Sequence, residues 1–306
     1  MRLSRQGSSL LVQAPAKLNL SLAVLGRRED GFHQLKTVML SVRLTDLLRF
    51  SPSESGEIEL RCHQASRSGT SSLLAVDDRN LVIRAARLLR EQTGCSQGVS
   101  IDLVKRIPME AGMGGGSSNA AATLVALNRF WNLGLSSHDL HALAAQLGSD
   151  VNFFIDSPVA AVCSGRGEEV EPVPVSGPLH FVIVKPPFGL STPKVFQQWG
   201  ELQQDRGEPE SVSPQITQTV QELESGRLDR LGESLRNDLT APAARLDPRL
   251  AEILQRLKRE DVYGSGMTGS GSACFVLCRN AAQARAIAGR WRHFPYGTVF
   301  TVSSGT

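Results

Sequence analysis

No Gly-Lys pair occurs anywhere in the 306 residues, so the chain has no Walker phosphate loop, in which the lysine must follow a glycine directly. No Cys-x-x-Cys pair occurs either. The five cysteines (Cys62, Cys95, Cys163, Cys274 and Cys278) are odd in number and scattered, which fits reduced, mostly buried thiols and argues against a zinc site or a disulfide framework. No apolar run approaches the roughly 20 residues that span a bilayer. The polar start, Met1 to Ser9, lacks the apolar centre of a signal peptide, so a cytoplasmic protein is expected. The net charge is only +3. The densest basic stretches, Arg84/Arg87/Arg90 and Arg290/Arg292, carry no interleaved aromatics and read as solvated faces, not as a nucleic-acid footprint. Lysine itself is scarce, six of the 39 Lys, Arg and His residues, so each one is conspicuous. What remains, 41% hydrophobic and 21% charged, is the composition of a globular enzyme-like chain with room for one or two domains.

One stretch organises the rest: Pro108-Met109-Glu110-Ala111-Gly112-Met113-Gly114-Gly115-Gly116-Ser117-Ser118-Asn119. Before it, Val99 to Lys105 alternates apolar and polar with a strand's period of two. After it, Ala120 to Trp131 is Ala- and Leu-rich with helical spacing. Four glycines in five positions leave no Cβ to hold a ligand off the backbone and allow positive φ, so successive N–H groups can point inward. Ser117 and Ser118 stand where the helix begins, at its positive dipole end. Such a site suits a phosphate; a plain glycine turn with a serine cap fits the same residues. A Gly-x-Gly-x-x-Gly at Gly264, Gly266 and Gly269 follows a helix and precedes a strand, the reverse of the dinucleotide-binding order, and is set aside.

Along the chain, Leu18, Leu20 and Leu22 alternate with Lys17, Asn19 and Ser21, which puts Lys17 and Asn19 on one strand face about 7 Å apart; a solvent-facing strand would look the same. Asp30-Gly31 marks a turn, followed by Phe32 and His33, either a ligand-facing pair or a buried Phe beside an incidental His. Strands are expected over Lys36 to Arg49 and Glu57 to Cys62, then a polar loop from Gln64 to Ser72. A helix capped by Asp77 or Asp78 should run to about Gln92 and end at Gly94. Another opens at the Ser136-x-x-Asp139 capping box and stops at Gly148. Asp150 then stands between that helix end and an apolar strand, as a turn acid or a catalytic one. A hairpin around Gly165-Arg166-Gly167 follows, then a strand Phe181 to Lys185, a short helix from Ser191 or Thr192 to Trp199 and a linker-like loop from Glu201 to Pro214. Helices at about Ile216–Leu223 and Pro248–Arg259, a Gly/Ser loop at Gly264 to Ser272, a strand Ala273 to Cys278, a helix Ala281 to Trp291 and a last strand to Val302 complete the chain.

Five of these features occur in a fixed order: Pro15-Ala16-Lys17-Leu18-Asn19-Leu20, Gly31-Phe32-His33, the loop at 108–119, Gly148-Ser149-Asp150-Val151 and the late Gly264 to Phe275. The set resembles the GHMP small-molecule kinases over essentially the whole chain. Ala-Lys-Leu-Asn-Leu with Gly-Phe-His points, within them, to the kinase acting on 4-diphosphocytidyl-2-C-methyl-D-erythritol. The resemblance implies an α+β, two-domain GHMP kinase fold: an N-terminal ribosomal-S5-like nucleotide domain (residues 1–170) and a C-terminal α/β sandwich domain (171–306) completing the substrate site. It implies ATP-dependent phosphorylation of the 2-hydroxyl of the methylerythritol portion, with Mg²⁺ accompanying ATP and no metal ligands assigned. By position, Pro108 to Ser118 matches the ATP phosphate loop, with Asn80 and Lys105 on the nucleotide side. Lys17 and Asp150 match the catalytic pair, and Asn19 a substrate-positioning residue. His33 matches the reader of the cytosine edge, Phe32 and Phe196 the rings that sandwich the base, and Thr192 lies near the same site. The family's usual Gly-Tyr-His reads Gly-Phe-His here, which keeps the ring and drops the hydroxyl.

The expected partners are the two small molecules only, without nucleic acid or membrane, for a monomer or weak homodimer. The residue types suit phosphoryl transfer, which asks for positioning and charge neutralisation. Asp150 can take the hydroxyl proton, and Lys17 can hold it ionised. Glu110, an acid inside a phosphate loop, is expected to point to solvent. The rival readings are a GHMP kinase for a sugar, homoserine or mevalonate-type alcohol, a binding or regulatory protein that has lost catalysis, and a nucleic-acid-binding protein.

Overall fold

In the computed structural model of the chain, which describes residues 1–64, 75–204 and 213–305, two sheets carry the molecule. The first is built from β1 (Arg2–Gln6), β2 (Ser9–Arg27), β3 (His33–Pro52), β4 (Ile58–Gln64), β5 (Val99–Lys105), β6 (Ala160–Gly165) and β7 (Glu169–Val173). Its main order is β1-β2-β3-β5-β4, with β6 pairing β3 and β7 pairing β6. The second runs β10-β11-β8-β12, made from β8 (His180–Lys185), β10 (Gly264–Met267), β11 (Cys274–Cys278) and β12 (Thr298–Ser303). A two-residue strand, β9 (Arg236–Asn237), lies parallel to β2. The helices are α1 (Leu81–Thr93), α2 (Gly115–Phe130), α3 (Ser137–Leu147), α4 (Val151–Asp156), α5 (Thr192–Gln204), α6 (Ser213–Ser225), α7 (Leu228–Ser234), α8 (Thr240–Leu246), α9 (Pro248–Leu257) and α10 (Ala281–Trp291).

Apolar alternation explains how these stack. On one side of the first sheet, Leu48, Phe50 and Ile101 pack with Val82 and Leu89 of α1, Leu124 of α2 and Phe153 of α4. Between the sheets, Leu18, Leu40 and Val42 meet Phe181, Ile183 and Phe275. The alternate residues Val182, Val184 and Val276 face away, onto Val195, Ile253 and Trp291 of α5, α9 and α10. One strand enters all three cores: β2 gives Val12 and Ala14 to the first, Leu18 and Leu20 to the second, Leu22 and Val24 to the third. A regular strand cannot do this, because its faces alternate strictly. Here the pairing of β2 with β3 shifts at Pro15/Ala16, Asn19/Ser21 and Val24/Gly26, and each extra residue re-aims the side chains beyond it.

The structure corrects several expectations. The single face expected for Leu18, Leu20 and Leu22 is broken by the shift after Asn19. The cap of α1 is Asn80, whose side chain accepts from Val82 N, not Asp77 or Asp78; Asp77 is engaged with Arg79. The apolar run after Asp150 is the helix α4, not a strand, since a short apolar run has no period that separates the two. Both ends of the 201–214 linker are helical, in α5 and α6, while its middle, like most of the 64–72 loop, lies outside the described residues. The capping box of α3 holds in both directions between Ser136 and Asp139, and α1 ends at Gly94 in the left-handed conformation, φ 68°. No helix among the described residues is long and apolar enough to cross a membrane.

Candidate active site

A cavity of about 820 Å³ is lined by parts of β2 and β3, the glycine loop, α5 and the Gly/Ser loop at 269–270, and its wall includes Lys17, Asn19, Phe32, His33, Asp150 and Phe196. Lys17 and Asn19 do share a strand face, yet they are only 3% and 1% exposed, which removes the solvent-facing alternative. Lys17 Nζ lies 3.1 Å from Asp150 Oδ2 and donates to Asn19 Oδ1 at 2.6 Å. Asn19 Nδ2 donates to Thr37 Oγ1 at 2.9 Å, and Thr37 Oγ1 donates to Ser21 O at 2.6 Å. From the second half of the chain, Thr268 Oγ1 accepts from Asn19 N at 3.0 Å and lies 3.1 Å from Gly112 O. Lys17 N donates to Met113 O at 3.0 Å, tying the strand to the loop. A buried ammonium and amide are costly unless paired; here each polar atom has a partner, so the pair is held rigidly toward the cavity. Asp150 is the more open member, its side chain 28% exposed.

The phosphate-loop segment enters α2 at Gly114, the N-cap, with φ 68° and no side-chain cap. The helix therefore starts earlier than Ser117, and two of the glycines lie inside its first turn. No acid stands in that turn, so the first N–H groups remain free for an anion. The close packing explains the missing side chains. A Cβ on Gly115 would come within 2.7 Å of Lys105 Nζ and 2.9 Å of Ile107 Cγ2, and one on Gly112 would overlap the Thr268 carbonyl. Ser118 Oγ is buried with no hydrogen-bond partner, a polar atom whose satisfaction calls for a ligand or water.

Behind the loop, Lys105 pairs with the wholly buried Asp46. Asp46 also accepts from Arg106 N at 2.7 Å, Ile107 N at 2.9 Å and Asn119 Nδ2 at 3.0 Å. Burial pushes the Lys105 ammonium below the ordinary lysine range, against the pull of the Asp46 carboxylate. Asn80 is fully used as the α1 cap and in a 2.7 Å bond to Ala75 O, although its neighbour Leu81 comes within 3.4 Å of a Cβ built on Gly116. Glu110 is exposed, at φ 50°, but it does not simply hang in solvent. Its carboxylate covers Gly189, where a Cβ would overlap it, and it opposes the burial that brings the Lys185 ammonium down to about 8.

At the other end of the cavity the rings are arranged differently from expectation. Phe196 stacks on His33 itself, with centroids 4.6 Å apart and planes 25° apart. Trp199 meets His33 edge-on, with centroids 5.5 Å apart. Phe32 is 50% exposed and carries the Arg166 guanidinium over its face, 4.9 Å from the ring centroid. Phe32 and Phe196 thus line one cavity, Phe196 with one face against His33 and Phe32 with one face against Arg166. Burial and the Arg27 charge lower the His33 pKa, which favours the neutral imidazole. Thr192 Oγ1 lies 2.7 Å from Ser270 Oγ, joining α5 to the Gly/Ser loop.

Sequence reasoning missed Asp46, Asn119's role as its donor, Thr268 and Trp199. Asp46 had one signal, a lone acid inside the apolar run Leu44 to Leu48. Thr268 had none, because its partner is 249 residues away.

The arrangement offers a carboxylate steadied by an ammonium, beside an anion-binding helix terminus, with aromatic rings at the far wall. Comparison with known proteins agrees with it. Residues 80–165 match the family described as GHMP kinases N terminal domain, and residues 219–297 that described as GHMP kinases C terminal. The 4-diphosphocytidyl-2-C-methyl-D-erythritol kinase of Pelotomaculum thermopropionicum is 40% identical over 279 residues, 91% of this chain and 92% of the relative. The kinase of the same name from Synechococcus sp. (strain CC9605) is 41% identical over 90% of both chains. A crystal structure of 4-(cytidine 5'-diphospho)-2C-methyl-D-erythritol kinase superposes with a TM-score of 0.74 at 34% identity, covering 97% of this chain and 100% of that one. A homoserine kinase from Cytophaga hutchinsonii shares the fold, with a TM-score of 0.71, but only 18% of the sequence. Identity of 40% along nearly the full length, twice what the shared fold alone brings, makes the chain a member of the GHMP kinases and, within them, of the 4-diphosphocytidyl-2-C-methyl-D-erythritol kinase family.

Proposed function

We propose that the chain transfers the terminal phosphoryl group of ATP to the 2-hydroxyl of 4-diphosphocytidyl-2-C-methyl-D-erythritol, a step of the non-mevalonate isoprenoid precursor route. The observation that carries the chemistry is the 3.1 Å Lys17–Asp150 pair at the floor of a cavity lined by Gly112 and Gly114 on one side and His33 and Phe196 on the other. Asp150 takes the proton of the attacking hydroxyl as the oxygen approaches the phosphorus. Lys17, 3.1 Å from that carboxylate, supplies positive charge where the transferring group becomes more negative. Asn19 fixes the direction of the Lys17 ammonium. The free N–H groups at the start of α2 hold the ATP phosphates, and Lys105 and Asn80 support that end.

The residues fit nucleotide phosphates on an observation independent of motif: an uncapped helix terminus beside a buried, unpartnered Ser118 hydroxyl. Mg²⁺ fits only as a companion of those phosphates. Among the described residues no group of three or more His, Cys, Asp or Glu side chains could hold a metal ion, which suits an ion bound mainly by phosphate oxygens and water. There it would neutralise phosphate charge. At the far wall, His33 reads the cytosine edge and Phe32 and Phe196 take its faces, which requires Phe196 and His33 to part as the base enters. Thr192 holds the start of α5 beside the same site.

A phosphate-transfer assay comparing the cytidine-diphosphate substrate with free methylerythritol tests the reading. Turnover should depend on the cytidine portion. Equal turnover of the free polyol, or transfer only to homoserine or mevalonate, would replace this substrate with a simpler alcohol.

A further inference from the structure

The hairpin joining β6 to β7 presses a second cation into the cavity wall. Gly167 N donates to Ser164 O at 2.9 Å, and Gly165 takes φ 73°, the positive value a type II′ hairpin asks of its first central residue. Gly167 sits against the turn before Asp150, where a Cβ would come within 3.2 Å of Ser149 O. Arg166, at the tip, is held from behind. Its Nη2 donates to Ala145 O at 3.3 Å and its Nε to Glu168 Oε1 at 3.4 Å. Glu168 also accepts from Arg166 N at 2.5 Å, which fixes the carboxylate on the hairpin side. The guanidinium lies over Phe32, and the residue lines the cavity.

We infer that Arg166 binds the diphosphate of the substrate, an inference that rests on the cytidine-diphosphate reading above. A ligand with its base at Phe32 and His33 and its hydroxyl at Lys17 and Asp150 must lay two phosphates along the wall between them. Arg166 spans that wall, touching Phe32 through its guanidinium and the Asp150 turn through its hairpin. The other cations there are less free or less held. Lys17 is committed to Asp150 and Asn19, and Arg27 is exposed. A guanidinium has five N–H donors, of which two are used, and its planar fork matches adjacent phosphate oxygens better than an ammonium does. The two bonds behind it fix the side chain before the ligand arrives, so little rotamer freedom is lost on binding.

Calorimetric titration of CDP and of cytidine into the wild type, Arg166→Gln and Arg166→Lys tests this, with circular dichroism reporting that each variant is folded. The wild type should bind CDP more tightly than cytidine. Arg166→Gln should weaken CDP about 10- to 100-fold, the range of a hydrogen bond to a charged group, and cytidine far less. Arg166→Lys should recover part of the loss as a point charge without the fork. Equal weakening of CDP and cytidine would overturn the inference and leave Arg166 as a support for the Phe32 ring. Undiminished CDP binding by Arg166→Gln would overturn it outright. A wild type that binds neither ligand while phosphorylating another alcohol would remove the cytidine reading itself, and the inference with it.

Discussion

The floor of the cavity and its far wall are built in contrasting ways. On the floor, Lys17, Asn19, Thr37 and Thr268 form a chain of buried hydrogen bonds across strands from both halves of the sequence. Behind it, Asp46 binds four donors with no exposure at all. At the far wall, Phe196 rests on His33, and the half-exposed Phe32 carries the Arg166 guanidinium on one face. The floor thus has nothing to rearrange before reaction, while the far wall must open to admit its ligand. Preorganisation belongs where charge develops in the transition state, and adaptable contact suffices where binding is uniform through the reaction.

Substitutions can break this contrast or sharpen it. The largest effect is expected for Asp150→Asn, which keeps the shape but cannot accept a proton. Its kcat should fall about 10²- to 10⁴-fold with substrate binding largely kept. A variant retaining a third or more of the wild-type rate would reduce Asp150 to a positioning group. Asp46→Ala should strike stability rather than chemistry, since it strands the buried Lys105 charge and two backbone donors. A loss of about 3–5 kcal/mol is expected in denaturant unfolding, and Asp46→Ala with Lys105→Met should recover much of it. If the single variant melts like the wild type, the pair is not the support described.

At the far wall, Phe196→Ala should cost about 1–3 kcal/mol, the worth of one base–aromatic stack. The loss should appear in the substrate KM and not in kcat, because stacking is alike in ground and transition states. A fall in kcat at unchanged KM would mean the far wall is as tightly geared to the chemistry as the floor, which would end the contrast. The smallest effect is expected for Glu110→Gly. Glycine adopts the positive φ of this position without strain, and the carboxylate is exposed, so stability and the ATP KM should change by about 0.5 kcal/mol or less. A loss of about tenfold in ATP KM, 1.4 kcal/mol, would show that the contact with the turn at Gly189 sets the loop's position.

The sequence was most readable where one short stretch carries the whole message. The loop at 108–119 declares itself through glycine spacing between a strand and a helix, and Lys17 with Asn19 through alternation. What escaped depends on chain segments meeting across the fold. Asp46 finds its donors at residues 105, 106, 107 and 119, and Thr268 reaches Asn19 from the far half; no local pattern encodes either. The shifts in β2 were equally silent, since Leu20, Ser21 and Leu22 are all buried and their alternation looks regular on paper. At the far wall the residues named from the sequence line one cavity, but which ring stacks on which is decided by side-chain packing that residue types alone do not specify.

The route of β2 through three cores has a consequence for the order in which the chain acquires its shape. Ser21 and Leu22 pair with Arg236 and Asn237, and Asn19 N waits for Thr268, 249 residues further on. At a ribosomal pace of roughly 5–20 residues per second, those partners emerge about 11–50 s after the strand itself. During that interval the strand carrying Lys17 has hydrophobic residues for two cores that do not yet exist. Pairing over such a sequence separation is slow and exposes apolar surface while it waits. Lys17, near the start of the chain, is therefore among the last residues of the site to be enclosed, and nascent chains halted before residue 237 should be bound by chaperones far more than chains halted after 268.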